Sequence, residues 1–271
     1  MPPSSAPRVE RFPWEPESVN RANLTTASLR QVLLQKFPAR SPDAPSLLVA
    51  AGALVGFAAQ NSALEQGELL TARRDLVAPQ SLMLRRAETG QLFLAGRWIN
   101  APLLLGYGHG FPLQRIVIQA AAAAGVKRSE FPDYWELERR VAKEAAEGRL
   151  GSVEDGPGRA LPPVRNLLKP LWPTARRIMT APMPLEMADE PMMNEAHWPV
   201  AMAVVAARMV ALTAESVPPL AAANLVMEGA IVASKLDPDS VDPGRWSLAP
   251  GPGGLQIARD DRKRMATRRI A

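Results

Sequence analysis

The residues most suited to polar chemistry lie in LLLGYGHGFP, residues 103 to 112. Three glycines alternate there, and between them Tyr107 supplies a phenol and His109 an imidazole. Glycine lacks a Cβ atom, so its backbone lets a ligand approach closely, and Pro112 can open a helix whose first amides attract an anion. The segment therefore predicts a small-ligand site around residues 106 to 110, with Tyr107 and His109 as its candidate catalytic residues.

The same segment has a simpler interpretation, a glycine-rich connection in which Tyr107 and His109 form only local hydrogen bonds. No serine nucleophile stands beside the histidine, and Glu88 is the nearest acidic residue upstream. Acyl transfer or proton abstraction requires such partners within hydrogen-bond distance. We favour the simpler interpretation, and the sequence leaves both open.

A second candidate site is the basic side of VRNLLKPLWPTARRIM, residues 164 to 179. Its cations are Arg165, Lys169, Arg176 and Arg177. With Trp172 at its border, such a surface suits phosphate, a lipid headgroup or an acidic partner. The alternative, which we favour, is that the acidic segment 185 to 195 folds back and neutralises these cations.

Composition and motifs exclude several other kinds of site. The chain has no cysteine, which excludes disulfides, thiol nucleophiles and iron–sulfur clusters. His109 and His197 are the two histidines, too few for a histidine-rich metal site. His197 follows Glu195 at the start of a helical pattern, where a histidine more often satisfies backbone groups than binds a metal. The sequence contains no P-loop, no HExxH motif, no GxSxG motif and no dinucleotide-binding motif. We therefore predict no cofactor and favour a non-enzymatic function.

The most apolar stretch, residues 46 to 68, is open to three interpretations: membrane span, dimerisation helix or core helix. Its uninterrupted apolar run, Leu47 to Ala59, is thirteen residues long, and at about 1.5 Å per residue it falls short of the roughly 30 Å of hydrocarbon that a span must cross. Gly52 and Gly56 lie on a small face that invites close approach of a second backbone. We predict a core helix buried on both faces and no transmembrane segment, and a homo-oligomer through this face stays possible.

Hydrophobic periodicity predicts a mainly α protein of the α+β class, a helical bundle-like body of about seven helices with one small β-hairpin. The hairpin is expected in SLMLRRAETGQLFLAGRWI, with Gly90 in its turn. Helices are expected from Thr25 to before Pro38, and two antiparallel helices over residues 196 to 215 and 218 to 235. In this fold the glycine-rich segment precedes a helix that starts at Pro112, and the basic residues lie on one side of a kinked helix or of two short helices in line.

The domain prediction is an extended arm over residues 1 to 24, one body over 25 to 248 with a possible internal linker at 148 to 163, and a flexible basic tail over 249 to 271. The net charge is +5, and the last thirteen residues carry six basic and two acidic side chains, or +4 of that total. The body is thus nearly neutral, so binding of nucleic acid or an anionic surface through the tail is possible and is not favoured.

The order of SLLVAAGALVGFAAQNSAL, the hairpin, AGRWINAPLL, an alanine-rich helix and GAIVASKLDP resembles a family of uncharacterised bacterial proteins. The resemblance implies a bacterial origin. It brings no activity, cofactor or site residue to this chain.

Three functional hypotheses follow for a protein that we expect to be cytoplasmic, since its N-terminus lacks the apolar segment of a signal peptide. The first is a soluble, non-enzymatic binding or interaction protein. The second is a small-ligand-binding protein or enzyme with a site at residues 106 to 110. The third is a binder of an anionic polymer or membrane surface through residues 165 to 177 and the tail.

Overall fold

The computed structural model describes residues 16–40, 42–72, 81–105, 112–151, 153, 161–181, 195–251 and 254–259. These residues form a mainly α-helical protein with small β-hairpins, which confirms the predicted fold class. The described α-helices are α1 Pro16–Lys36, α2 Ala44–Ala72, α3 Arg97–Asn100, α4 Leu113–Ala123, α5 Tyr134–Ala146, α6 Val164–Leu168, α7 Trp172–Thr180, α8 Trp198–Leu212 and α9 Pro219–Ser234. A π-helical turn, Ala101–Leu105, continues α3, and short 3₁₀ turns cover Arg128–Glu130, Glu195–His197 and Pro238–Ser240.

Two antiparallel hairpins accompany the helices in the described ranges. The predicted one pairs β1, Met83–Arg86, with β2, Leu92–Ala95, and its turn places Gly90 at φ +87°, a conformation that glycine adopts without strain. The second pairs β3, Trp246–Gly251, with β4, Gly254–Arg259. The expectation of a single hairpin, followed by a flexible tail from residue 249, was therefore wrong: residues 249 to 251 and 254 to 259 are strand. Residues 260 to 271 lie outside the described residues.

Helix α2 is the central element of the fold. It spans 29 residues and continues well past the apolar run that we judged too short to cross a membrane. Its segment Ala44–Leu69 has a mean hydropathy of 1.6 and is long and apolar enough to span a bilayer, yet the most apolar 18-residue window is completely buried inside the protein. The prediction of a core helix is confirmed, and the argument from length was wrong.

The small face of α2 packs against α9. A Cβ atom at Gly52 would lie 2.0 Å from the carbonyl oxygen of Val226, and one at Gly56 would lie 1.9 Å from that of Ala230. Gly229 of α9 meets the Val49 carbonyl oxygen in the same way, at 2.5 Å. The two backbones therefore touch, as the small face predicted, but the second backbone belongs to the same chain. This face is occupied and offers no surface to a second copy.

The main core lies where α2, α8 and α9 meet, and α1, α4, α6 and α7 cover it. Helices α8 and α9 confirm the predicted pair, with Trp198, Met202, Val205 and Met209 buried along α8. Leu212, which was expected on the same stripe, is 47% exposed because it ends the helix. A smaller cluster beside the second half of α2 holds residues of both hairpins, among them Leu82, Leu94, Trp246 and Ile257.

Two boundaries differ from the prediction. Helix α1 begins at Pro16, so residues 16 to 24 are helical and not an extended arm. Proline suits the first turn because a missing N–H group needs no partner there. In the segment predicted as a linker, Val153 and Leu161 are buried in the main core, and the Leu161 N–H donates to the Val153 carbonyl oxygen at 3.0 Å. Residues 1 to 15, 152 and 154 to 160 lie outside the described part of the chain.

Candidate functional site

The first candidate site, around Tyr107 and His109, lies outside the described residues, which end at Leu105 and resume at Pro112. The two described flanks of this segment border a groove of about 550 Å³. Its lining residues are Leu104, Pro112, Gln114, Arg115, Ile118, Gln119, Ala122 and Arg128. The glycine-rich segment is thus connected at both ends to residues that line a concave surface.

Three elements of the described residues line this groove. The π-helical turn Ala101–Leu105 contributes Leu104, and π-helical turns are frequent at functional sites. Helix α4 turns Leu113, Val117 and Ala121 into the core, so that its opposite side forms the groove wall. The 3₁₀ turn Arg128–Glu130, closed by a 2.7 Å hydrogen bond from the Lys127 N–H to the Glu130 carboxylate, places Arg128 at the edge.

The described lining combines apolar and cationic groups. Leu104, Pro112, Ile118 and Ala122 supply the apolar part, and two glutamines and two arginines supply the polar part. No carboxylate lies among the described lining residues. Helix α4 also begins without a side-chain cap, which leaves the positive end of its dipole beside Pro112 and Gln114. The chemistry of this surface suits an anion with an apolar body.

The second candidate site, the basic side of residues 164 to 179, is divided by the structure. Arg165, Lys169 and Arg177 are exposed and pair with no carboxylate of the described residues. Arg176 instead forms an ion pair with Asp242. Trp172, expected at the border of this surface, is completely buried and donates its indole N–H to Asp242 at 3.1 Å.

The acidic segment proposed to neutralise these cations is described only at its last residue. Glu195 does not pair with these cations, because its carboxylate pairs with Arg245 at 2.6 Å and with Arg259 at 3.1 Å. Glu186, Asp189 and Glu190 lie outside the described residues. His197 ends the 3₁₀ turn before α8, as the sequence placed it.

Sequence reasoning missed a cluster of buried and partly buried charges, which we call the arginine–carboxylate cluster. Its members are Glu65, Glu68, Arg176, Glu195, Asp242, Arg245 and Arg259. Arg259, the last residue of β4, donates to three carboxylates: Nε to Glu68 at 2.8 Å, Nη2 to Glu65 at 3.1 Å and Nη1 to Glu195 at 3.1 Å. Arg245 joins the two ends, since it contacts both Glu195 and, at 3.8 Å, Asp242.

Aromatic rings enclose the cluster. The guanidinium of Arg259 lies 5.0 Å from the centre of the Trp246 ring, and that of Arg245 lies between Trp246 and Trp198 at 5.4 and 5.5 Å. Such cation–π contacts strengthen when water is excluded. Trp246 is fixed by a 3.1 Å hydrogen bond from its indole N–H to Asn61 of α2.

Burial shifts the pKa of one carboxyl group of the cluster strongly. Desolvation, and then the neighbouring Glu195 carboxylate, raise the pKa of Glu65 to about 7, against the opposing effects of Arg259 and Arg245. Glu195 is itself buried, and its Oε2 atom has no hydrogen-bond partner among the described residues. Groups with such shifts are concentrated at functional sites, though structural ion pairs produce them too.

A separate buried pair lies at the end of α9. Lys235 is completely buried, and its Nζ donates to the Glu138 carboxylate of α5 at 2.7 Å. Asn100 donates to the same carboxylate oxygen at 3.1 Å. Gln60 of α2 donates to the Ser234 and Leu236 carbonyl oxygens, at 3.1 and 2.6 Å, and so satisfies the end of α9. These contacts tie α2, α3, α5 and α9 together at one point.

Little in the sequence predicted the arginine–carboxylate cluster or the pair of Lys235 and Glu138. Glu65 and Glu68 are three residues apart on a helix, a spacing typical of a solvated face, and Arg259 begins a run of charges. Among the described residues no group of histidine, aspartate and glutamate side chains could hold a metal ion. Comparison with family models, with curated proteins and with solved structures gave no match to this chain.

Proposed function

We propose that this protein is a cytoplasmic, non-enzymatic binding protein whose groove along α4 takes up a small amphiphilic anion. The ligand carries a carboxylate, sulfonate or phosphate group on an apolar body. The observation that carries the proposal is the described lining, in which two arginines and two glutamines lie beside four apolar residues, with no carboxylate among these described residues.

The size of the groove supports a small molecule as the ligand. Its volume of about 550 Å³ falls inside the roughly 300 to 1,000 Å³ typical of ligand pockets. Arg128 is exposed and pairs with no carboxylate of the described residues, so an incoming anion meets no competing partner there. Charge-assisted hydrogen bonds of this kind are about twice as strong as neutral ones.

The apolar residues of the lining support an apolar body on the ligand. Leu104 is 6% exposed, whereas Ile118 and Ala122 keep part of their surface open to the groove. Burial of apolar surface contributes about 25 cal/mol per Å², so a hydrocarbon or aromatic body adds affinity that inorganic phosphate cannot gain. The described lining offers no hydroxyl, thiol or carboxylate for nucleophilic or acid–base chemistry, which favours binding over turnover.

The test uses a pair of fluorescent probes that differ in charge. Anilinonaphthalene sulfonate carries an anionic group on an aromatic body, and N-phenyl-1-naphthylamine has nearly the same body without the sulfonate. We expect Arg128→Gln to weaken sulfonate binding about tenfold, equivalent to the loss of one charge-assisted contact, and to leave the neutral probe nearly unchanged. Arg165→Gln, which removes an exposed cation outside the groove, is the charge-matched control.

A second pair of variants tests the location. Ala122 lines the groove, whereas its neighbour Ala123 is exposed and does not. Ala122→Phe should fill the groove and weaken both probes, and Ala123→Phe should weaken neither. Equal effects of the two phenylalanine variants, or undiminished sulfonate binding in both Arg128→Gln and Ala122→Phe, would refute the proposal.

A further inference from the structure

We propose that Glu65 and Arg259 form a proton-dependent latch, which fastens the β3–β4 hairpin to α2 more tightly when Glu65 is protonated. The latch lies at the end of β4, where the described part of the hairpin meets the second half of α2. It would make docking of the C-terminal hairpin respond to pH near neutrality.

The charged contacts of the hairpin lie at Arg259, in addition to the hydrogen bond from the Trp246 indole N–H to Asn61 of α2. Arg259 reaches Glu65 and Glu68 of α2 and Glu195 of the 3₁₀ turn before α8. Its backbone N–H also donates to Glu68, at 3.1 Å. One side chain therefore joins the strand to two other parts of the fold.

The charges of the cluster do not balance when every group is ionised. Four carboxylates, on Glu65, Glu68, Glu195 and Asp242, face three guanidinium groups, on Arg176, Arg245 and Arg259. One negative charge is in excess in a largely buried site. A proton on one carboxyl group removes that excess, and a buried charge without a partner is strongly unfavourable.

Glu65 is the group that takes this proton. Of the charged groups described around it, Glu195 raises its pKa and Arg259 and Arg245 lower it, while burial has the largest effect, and the result is a pKa of about 7. Glu68 has more donors than Glu65, since it accepts both the Arg259 side chain at 2.8 Å and the Arg259 backbone N–H at 3.1 Å, and Asp242 pairs with both Arg176 and Arg245. Arg259 keeps Glu68 and Glu195 as partners after Glu65 is protonated.

The direction of the effect follows from linkage. When the hairpin leaves, Glu65 is exposed and its pKa returns toward the ordinary 4.5. The docked form then binds more protons than the released form between pH 4.5 and about 7, so docking strengthens as the pH falls through 7 and weakens as it rises. For these two pKa values the docking equilibrium at pH 6 is about tenfold more favourable than at pH 8.

Apolar contacts hold the hairpin at every pH, so the latch adjusts its docking and does not create it. Ile257 and Leu255 are buried beside α2, and the Ile257 side chain lies over Gly67. Release at high pH is therefore a local opening that hydrogen exchange detects, and not global unfolding.

The test is amide hydrogen exchange of the full-length protein at pH 6 and pH 8, corrected for the intrinsic pH dependence of exchange. We expect amides of residues 254 to 259 to be about tenfold better protected at pH 6. Glu65→Gln carries no titratable group, so it should show the high protection at both pH values. Glu215→Gln, which removes an exposed carboxylate after α8, should behave like the unmodified protein.

Protection that is equal at both pH values in the unmodified protein, or a pH dependence that persists in Glu65→Gln, would overturn the proposal. Should the variant fold poorly, carbon-13 NMR of the glutamate carboxyl groups in the unmodified protein decides the matter. One glutamate titrating near pH 7 together with the change in protection supports the latch, and no glutamate titrating above pH 6 contradicts it.

Discussion

The contact between α2 and α9 gives the sharpest stability prediction, because it joins backbone to backbone. In Gly56→Ala the added Cβ atom would lie 1.9 Å from the Ala230 carbonyl oxygen, whereas a normal contact requires about 3.5 Å. Neither partner is a side chain that can rotate away. The axes of α2 and α9 must therefore move apart by about 1.5 Å at this contact, or the backbone of one helix must distort.

The energetic result is the sum of opposing effects. Alanine gains about 1 kcal/mol over glycine as a helix former, while forcing an extra methyl group into a packed core destabilises by about 1 to 3 kcal/mol and occasionally more. A gap of 1 Å already forfeits up to about half of the dispersion attraction across an interface. Because the blocking atom is backbone, we expect the upper end of that loss, about 3 kcal/mol, and therefore a net loss of about 2 kcal/mol in the free energy of unfolding.

The assay is urea denaturation followed by far-ultraviolet circular dichroism, with Gly67→Ala as a control in the same helix. There the added Cβ atom would lie 2.2 Å from the Ile257 Cδ1 atom, the end of a flexible side chain that can adopt another rotamer. We expect this variant to lie within about 1 kcal/mol of the unmodified protein. Equal destabilisation of the two variants, or a Gly56→Ala protein as stable as the original, would refute the close backbone contact.

Two further substitutions test the buried charges. Lys235→Met leaves the Glu138 carboxylate buried without its cation and should lower the free energy of unfolding by about 3 to 5 kcal/mol in urea denaturation, whereas adding Glu138→Gln should recover most of that loss; an additive double variant would contradict the pairing. Arg259→Gln removes the guanidinium that three carboxylates share, so the loss of stability should be larger at pH 8, where Glu65 is ionised, than at pH 6, where it is mostly protonated. The reverse order would show that Glu65 is not the titrating group.

Local pattern predicted the apolar architecture of the fold well. The small face of α2 predicted a close backbone contact, and the turn at Gly90 predicted the first hairpin. The apolar stripe of α8 predicted which side of that helix is buried. Each of these features depends on residues a few positions apart, for which helical and strand periodicity is informative. What the small face left undetermined was the identity of its partner, which is α9 of the same chain.

The second hairpin shows why the rest was missed. Leu255 and Ile257 are buried and alternate with the exposed Gln256 and Ala258, as in a half-buried strand, but the strand is short and runs directly into a cluster of charges. We interpreted Arg259 as part of the flexible basic tail over residues 249 to 271. Its partners lie 191 and 194 residues away in sequence, at Glu68 and Glu65, and no local pattern reveals pairing over such a distance.

The groove was only partly predictable for a related reason. The glycine-rich segment suggested a site, and Pro112 correctly marked a helix start, but the side of α4 that lines the groove carries no recognisable motif. Arg115 belongs to α4 and Arg128 to the 3₁₀ turn that follows it, and both line the groove. A binding surface of this kind is assembled by the fold, so sequence spacing alone does not reveal it.

The second half of α2 shows how polar side chains are accommodated in the core of this protein. Gln60, Asn61 and Ser62 follow the apolar run and are completely buried. Gln60 donates to two carbonyl oxygens at the end of α9, and Asn61 accepts the indole N–H of Trp246. Segments more than 170 residues away thus pair with the Gln60 amide N–H groups and with the Asn61 Oδ1 atom, whereas Gln60 Oε1 has no hydrogen-bond partner among the described residues. Because these partners are so distant in sequence, the apolar run alone could not show that α2 continues past it as a buried helix.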